Sequence, residues 1–267
     1  MARASADVKK GNATYVYCVV AAPKRPRLTG APAGLPGTGP LRLLDFDAGR
    51  HIVVTDAPLS RYGEVAIRRG LSDLEWVSRA AVAHEAVVEA FIDATVVLPM
   101  KLFTLFTSDE RAIAHLHGDR RRIDALVKRL ANHHELGVRL VLERPAADVP
   151  RSTVHAKPAR SSGVAYLTQK KAQRDAAAER ATHARAIAAG LYDRLSERSR
   201  AARRRPANEL LVQSGPLLLD AAFLVPRSQS RAFTALARRE QRVLARQGYA
   251  LTITGPWPPY TFVQDSE

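Results

Sequence analysis

Several residue groups in this 267-residue chain have types and spacings that invite a chemical reading. His84-Glu85 opens like a zinc-peptidase helix, in which two histidines four residues apart hold the metal and the glutamate activates water. The position for the second histidine is Val88, so the pair lacks a ligand and reads as a polar flank of a helix. His115 with His117, and His133 with His134, have no Cys, His or carboxylate companions at metal spacing and read as helix-surface residues. Gly37-Thr38-Gly39 is followed by Pro40-Leu41-Arg42, which gives neither a dinucleotide fingerprint nor a phosphate-cradling Walker loop. No Gly-x-Ser-x-Gly elbow is present to present a nucleophile. Cys18, the one cysteine, alternates with Tyr17 and Val19 in a strand-like run and reads as a small buried hydrophobe. Glu85, Glu89 and Asp93 recur every four residues and line one helix face, a solvated or ion-pairing stripe, with a partner-binding stripe as the alternative. The expectation is a protein that is not an enzyme, with no catalytic, metal or cofactor site.

The elements that would position these residues follow from periodicity and turn chemistry. Thr14–Val20 is β-branched and aromatic, hence a strand. Residues 21–40 are rich in Pro and Gly and form a loop. Residues 41–47 and 51–56 make a hairpin about Ala48-Gly49-Arg50, and Pro58–Gly63 is a connector. Ser72 is the expected N-cap of the next helix, with Glu75 as its capping-box partner. The apolar run from Thr95 through Leu102, Phe103, Leu105 and Phe106 reads as one strand with an irregularity at Pro99. Ser108 caps a helix reaching Asn132, its first turn made favourable by Asp109 and Glu110. Leu136–Glu143 alternates as a half-buried strand. A long helix spans 165–204 and stops at Pro206. Strand 217–226, helix 228–247 and strand 249–254 follow, with Gly248 as C-cap.

This pattern is α+β: two mixed domains without regular βαβ alternation. Residues 1–146 form the first, 147–162 a Pro/Ala/Ser linker, and 163–267 a second, ferredoxin-like domain with a long helical segment and a Pro/aromatic C-terminal extension. The net charge of +15 is uneven. Residues 1–150 hold 21 basic and 17 acidic residues, whereas 151–205 hold 14 basic and 4 acidic. Such a basic stretch suits nucleic acid, an anionic surface or an acidic partner, or else is a solvated helix face. It has almost no aromatic residue to stack on a base, so a nucleic-acid-binding regulator acting through 151–205 is the weaker alternative. Met1–Asn12 has no apolar core of a secretory signal, and no apolar run reaches membrane length, so a cytoplasmic protein without a membrane partner is expected.

The end of the chain is its most distinctive stretch. Tyr249–Val263, YALTITGPWPPYTFV, resembles the closing strand and Gly-Pro-Trp-Pro-Pro-Tyr-Ser/Thr-Phe block of the gas vesicle protein L/F (GvpF/GvpL) family. Leu217–Arg227 resembles that family's preceding strand, and Ala165–Asp175 its Tyr-Leu helix start. In the first half, Tyr15–Val20, Asp73-Leu74-Glu75-Trp76, His84–Val88 and Val97-Leu98-Pro99-Met100-Lys101 look like the family's blocks, in the same order. One departure is visible: two places beyond the basic residue the family has Gly or Ala, and here stands Phe103.

The resemblance implies two α+β domains and an accessory role in building gas vesicles, hollow protein shells assembled from a small hydrophobic subunit. It implies binding to that major shell protein and to other accessory proteins, as chaperone, nucleation factor or minor shell component, and a location with the vesicles. Leu98, Pro99, Lys101, Phe103, Trp257, Tyr260 and Phe262 are the expected partner-binding residues. The proline-aromatic tail is expected to return over the second domain, anchored by Trp257 and Tyr260.

Overall fold

A computed structural model describes residues 11–143, 163–206 and 215–263. Two compact units emerge. One comprises the chain up to Glu135 together with the segment from Trp257 onward; the other is Leu136–Pro256. The linker expected at 147–162 lies outside the described residues.

The first unit is built around β1 (Asn12–Ala21), which buries every residue from Ala13 to Ala21. A strand buried on both faces reads as a continuous apolar run, as TYVYCVV does. β2 (Arg42–Asp47) and β3 (Arg50–Pro58) form the expected hairpin, and β3 pairs antiparallel with β1. The connector beyond β3 is helical instead: α1 (Leu59–Tyr62) and α2 (Glu64–Gly70) lead to α3 (Leu74–Glu89). The cap of α3 is Asp73, not Ser72. The Asp73 carboxylate accepts from the Glu75 and Trp76 amides at 3.0 and 3.1 Å, while the Ser72 hydroxyl donates to the Arg69 carbonyl.

The expected single strand at 95–106 is two. β4 (Val96–Pro99) and β5 (Leu105–Phe106) both pair with the same edge of β1, separated by a loop whose ends are fastened to it. Met100 N–H donates to the Tyr17 carbonyl and Val16 N–H to the Thr104 carbonyl. The β1–β3 register shifts between Val16 and Cys18, opposite this loop. The helix expected to reach Asn132 is also divided, into α4 (Asp109–Gly118) and α5 (Arg120–Leu130), with the break at Asp119. Ser108 caps α4 as expected. Arg42 bridges Asp56 and Asp109, at 2.5 and 2.7 Å, which ties the start of α4 to β2. The Asp109 carboxylate raises the Arg42 guanidinium pKa further.

The second unit runs β6 (His133–Leu142), α6 (Gly163–Ser196), β7 (Ala201–Arg204), β8 (Leu217–Pro226), α7 (Ser230–Ala245) and β9 (Tyr249–Trp257). Its sheet order is β7-β8-β6-β9. A β-α-β-β-α-β chain with its first and third strands in the middle is the ferredoxin-like arrangement. The strand at 136–142 is therefore the first of the second sheet rather than the last of the N-terminal domain. Its apolar residues Leu136, Val138 and Leu140 join Leu191, Leu195, Phe223 and Phe233 in one core.

Helix α6 stops at Ser196, earlier than Pro206 suggested, and the remaining residues turn into β7. The reason is visible in the pairing: Ala201–Arg204 runs antiparallel to Ala221–Leu224. The Arg204 guanidinium lies over the Tyr192 ring, and Arg205 pairs with Asp220 at 3.0 Å. The Arg204 and Arg205 side chains are thus held by α6 and β8 of their own unit. Gly248, with φ of 81°, ends α7 in the left-handed conformation glycine favours.

Candidate interaction surface

The tail defines one part of the first unit's surface. Pro258 and Pro259 are buried and lead into the short helix α8 (Tyr260–Val263). The buried Glu135 carboxylate accepts the Thr261 amide and hydroxyl, both at 2.7 Å. Arg129 donates to the Phe262 carbonyl at 2.6 Å, and Arg122 to that of Val263 at 3.2 Å. A carboxylate at the first turn and guanidinium groups at the last satisfy the backbone groups that every helix end leaves open. Phe262 is fully buried. The tail thus folds onto the first unit rather than over the second, and its anchors are Tyr260 and Phe262 rather than Trp257.

Beneath the loop at 100–104 lies a polar aromatic cluster. Tyr15 Oη is 2.7 Å from His84 Nδ1 and accepts the Phe103 amide at 3.2 Å. Tyr17 packs edge-on against Tyr15 and its hydroxyl accepts the Leu35 amide. Burial pushes the His84 imidazole down to about 4, partly opposed by the Met100 backbone, and pushes Tyr17 up to about 12. At neutral pH the cluster is uncharged. Its bonds hold the loop and the Gly/Pro-rich segment near Leu35; they supply no poised base.

That loop presents Phe103 in the left-handed region, with φ of 64°. A phenylalanine there is strained, and strain persists where the surroundings compensate. Here the Phe103 ring stacks on Trp76, with centroids 5.1 Å apart and planes within 17°. Trp76 in turn faces Tyr62 at 6.1 Å, and the Tyr62 hydroxyl donates to the Pro36 carbonyl. Gly70 makes room for this array, since a Cβ there would lie 2.6 Å from the Trp76 ring.

Two open grooves share this aromatic wall and flank α2. One, of about 920 Å³, is lined by Tyr62, Val65, Arg69 and Trp76. The other, of about 800 Å³, is lined by Leu59, Ile67, Leu71, Phe103, Leu105 and Phe106. α2 has no buried residue. Val65 is 83% exposed, Leu74 82%, Leu71 58% and Leu59 48%. Concentrated apolar exposure of this kind marks a binding surface. α1 and α2, of four and seven residues, are too short to show a helical period. The signal for α2 is the apolar run Val65, Ile67 and Leu71, which lies just beyond the connector expected at Pro58–Gly63.

The expected partner-binding residues divide between core and surface. Leu98 and Pro99 lie within β4, opposite Val19 and Cys18 of β1, and are buried. Phe262 is buried under the tail. Tyr260 is half-buried against the first core, with its hydroxyl enclosed. Lys101 is exposed, Phe103 faces the second groove, and Trp257 is 37% exposed. Among the described residues no group of three His, Cys, Asp or Glu side chains is placed to hold a metal ion. Among them also, no helix is long and apolar enough to cross a membrane.

Comparison with known proteins gives a consistent picture. Residues 13–264 match the family described as "Gas vesicle synthesis protein GvpL/GvpF". The chain is 32% identical over 261 residues to gas vesicle protein L of a Streptomyces species, covering 95% of this chain and 93% of that one. It is 27% identical over 297 residues to gas vesicle protein L2 of Halobacterium salinarum, covering 99% and 96%. The fold is that of the crystal structure of GvpF from Anabaena sp. PCC7120, with a TM-score of 0.66 at 18% identity, over 96% of this chain and 98% of that one. GvpF from Microcystis aeruginosa gives 0.63 at 16% identity, over 94% and 99%.

Proposed function

This chain belongs to the gas vesicle synthesis protein GvpL/GvpF family, and within the gas-vesicle accessory role that membership carries we propose that it binds the hydrophobic major shell protein before assembly, as a chaperone. The observation that carries this reading is the double groove around α2, where Leu59, Val65 and Leu71 stand exposed beside the Tyr62–Trp76–Phe103 wall. A shell subunit with an apolar face aggregates unless that face is covered. The second groove, lined mainly by aliphatic and aromatic side chains, can cover it without demanding a fixed hydrogen-bond register, while Arg61, Arg69 and Arg79 stand among the apolar residues of the first. Of the residues expected from sequence, Phe103 belongs to this surface, and Lys101 sits at the start of its loop.

The test is co-expression of the full chain with the major shell protein, followed by co-purification and by measurement of the shell protein that stays soluble. Val65→Asp with Leu71→Asp places charge in both grooves at exposed positions, so the fold is expected to survive. The double variant should lose at least about tenfold in captured shell protein, the cost of burying unpaired charge in an apolar contact. Undiminished capture by the folded variant overturns the groove as the binding surface.

A further inference from the structure

A second surface lies in the other unit, on α6. Every residue from Tyr166 to His183 is exposed, about 27 Å of helix at 1.5 Å per residue. Packing begins only at Ala184 and continues through Ala188, Leu191 and Leu195. An exposed helix of this length gains little from propensity alone, because most helical stability in proteins comes from packing one face against other elements.

Four of the five basic residues between Tyr166 and Arg185 share one face of this arm, and Arg180 lies off it. At 3.6 residues per turn, Leu167, Lys170, Lys171, Arg174, Ala178, Ala181 and Arg185 fall within one face about 100° wide. Asp175 and Glu179 lie outside it. Among the described residues no carboxylate pairs with Lys170, Lys171, Arg174 or Arg185. Lys170 instead rests over the Tyr166 ring at 5.9 Å. The face therefore carries a basic cluster at one end, Lys170, Lys171 and Arg174, and the single Arg185 at the other, with the small Ala178 and Ala181 between them.

We propose that this face of α6 docks an acidic helix of a partner protein. The i, i+3, i+4, i+7 spacing of Leu167, Lys170, Lys171 and Arg174 is the spacing through which one helix engages another. Ala178 and Ala181 permit the close approach of a second helix axis, at about 8 Å. Charge selects the partner. From Tyr166 to Arg185 the arm holds five basic and two acidic residues, a net of 5 − 2 = +3, so a second copy of the same arm is repelled. Nucleic acid fits less well, because the alanines leave the middle of the face without a phosphate contact and Tyr166, the arm's one aromatic, is occupied by Lys170. The proposal is independent of the grooves on the first unit, so either can fail without the other.

The full chain is titrated against a labelled monomeric peptide helix of about 20 residues carrying a stripe of glutamates, and separately against a duplex DNA of similar charge. Wild type should bind the peptide and prefer it to DNA. Lys170→Glu, Lys171→Glu and Arg174→Glu together should weaken peptide binding by at least about tenfold, with thermal stability retained because all three are exposed. Arg180→Glu, Arg198→Glu and Arg238→Glu, a matched charge change off the face, should leave binding within about twofold. An equal loss in both triple variants shows net-charge attraction alone and overturns the proposal, as does tighter binding of DNA than of the peptide.

Discussion

At the scale of single residues, burial decides what the chemically suggestive side chains do. His84 looked like half of a metal pair by type. Its environment makes it a hydrogen-bond partner of Tyr15, neutral because desolvation lowers its pKa from 6.5 to about 4. This has a consequence for stability. The unfolded chain takes up the proton near pH 6.5 and the folded chain refuses it until about pH 4, so the unfolded state binds more protons in that window. Stability carried by the neutral imidazole is present above pH 6.5 and is lost as pH falls toward 4, by about 3 kcal/mol at the lower end. Urea unfolding of the wild type and of His84→Leu at pH 7 and at pH 4.5 measures it. The variant should be weaker at pH 7, where its hydrogen bond is missed, but should show a clearly smaller drop between the two pH values. Equal drops would remove His84 as the source. Phe103 makes a different point at the same scale: its strained backbone is held by a ring stack, so a position where the family resemblance suggests glycine or alanine here extends the aromatic wall of a groove.

At the scale of elements, long segments with a strong period were legible in the sequence and short or interrupted ones were not. β1, the β2–β3 hairpin, β8 and α7 lie where alternation, turn residues and helical spacing put them. The end of α6 was not legible, because Arg203 and Arg204 are acceptable in helix or strand and only pairing with β8 decides between them. The split of 95–106 into β4 and β5 was marked by Pro99, but the reason is tertiary: both pieces use one edge of β1. The start of α3 shows how narrow such choices are. Ser72 and Asp73 are both good cap residues, and the carboxylate that reaches two amides prevails. Asp73→Ala should therefore cost about 1 kcal/mol, whereas Ser72→Ala should be close to neutral. Chemical denaturation of the two variants separates them, and a larger loss for Ser72→Ala would restore it as the cap. The candidate surface on α1 and α2 escaped sequence reading for a related reason. Its apolar residues face out of short helices and so leave no buried stripe to detect.

At the scale of the whole molecule, the chain order and the structural units differ. The strand that follows the first unit's last long helix opens the second sheet, and the residues that follow the second sheet's last strand complete the first unit. The proline-aromatic block identifies this arrangement physically: Pro258 and Pro259 stiffen the exit from β9, and Glu135, Arg122 and Arg129 receive the short helix that follows. Removing residues 257–267 should therefore act on the first unit. Loss of the buried Phe262 ring costs about 1.5–3 kcal/mol, and depriving the buried Glu135 carboxylate of its Thr261 donors adds about 1–3 kcal/mol. Hydrogen exchange on the truncated chain should show lowered protection in β1, β4 and α5, with β8 and α7 unchanged. Phe262→Leu should give a smaller loss in the same segments, because it keeps the Glu135 contacts and most of the apolar volume. The opposite pattern, with β8 and α7 losing protection while β4 keeps it, would make the tail a support of the second unit. Because neither the grooves beside α2 nor the basic face of α6 includes a tail residue, truncation separates stability from binding. A truncated chain that still folds should keep both surfaces, and loss of peptide binding to α6 in that chain would mean that the arm depends on more of the molecule than its own helix.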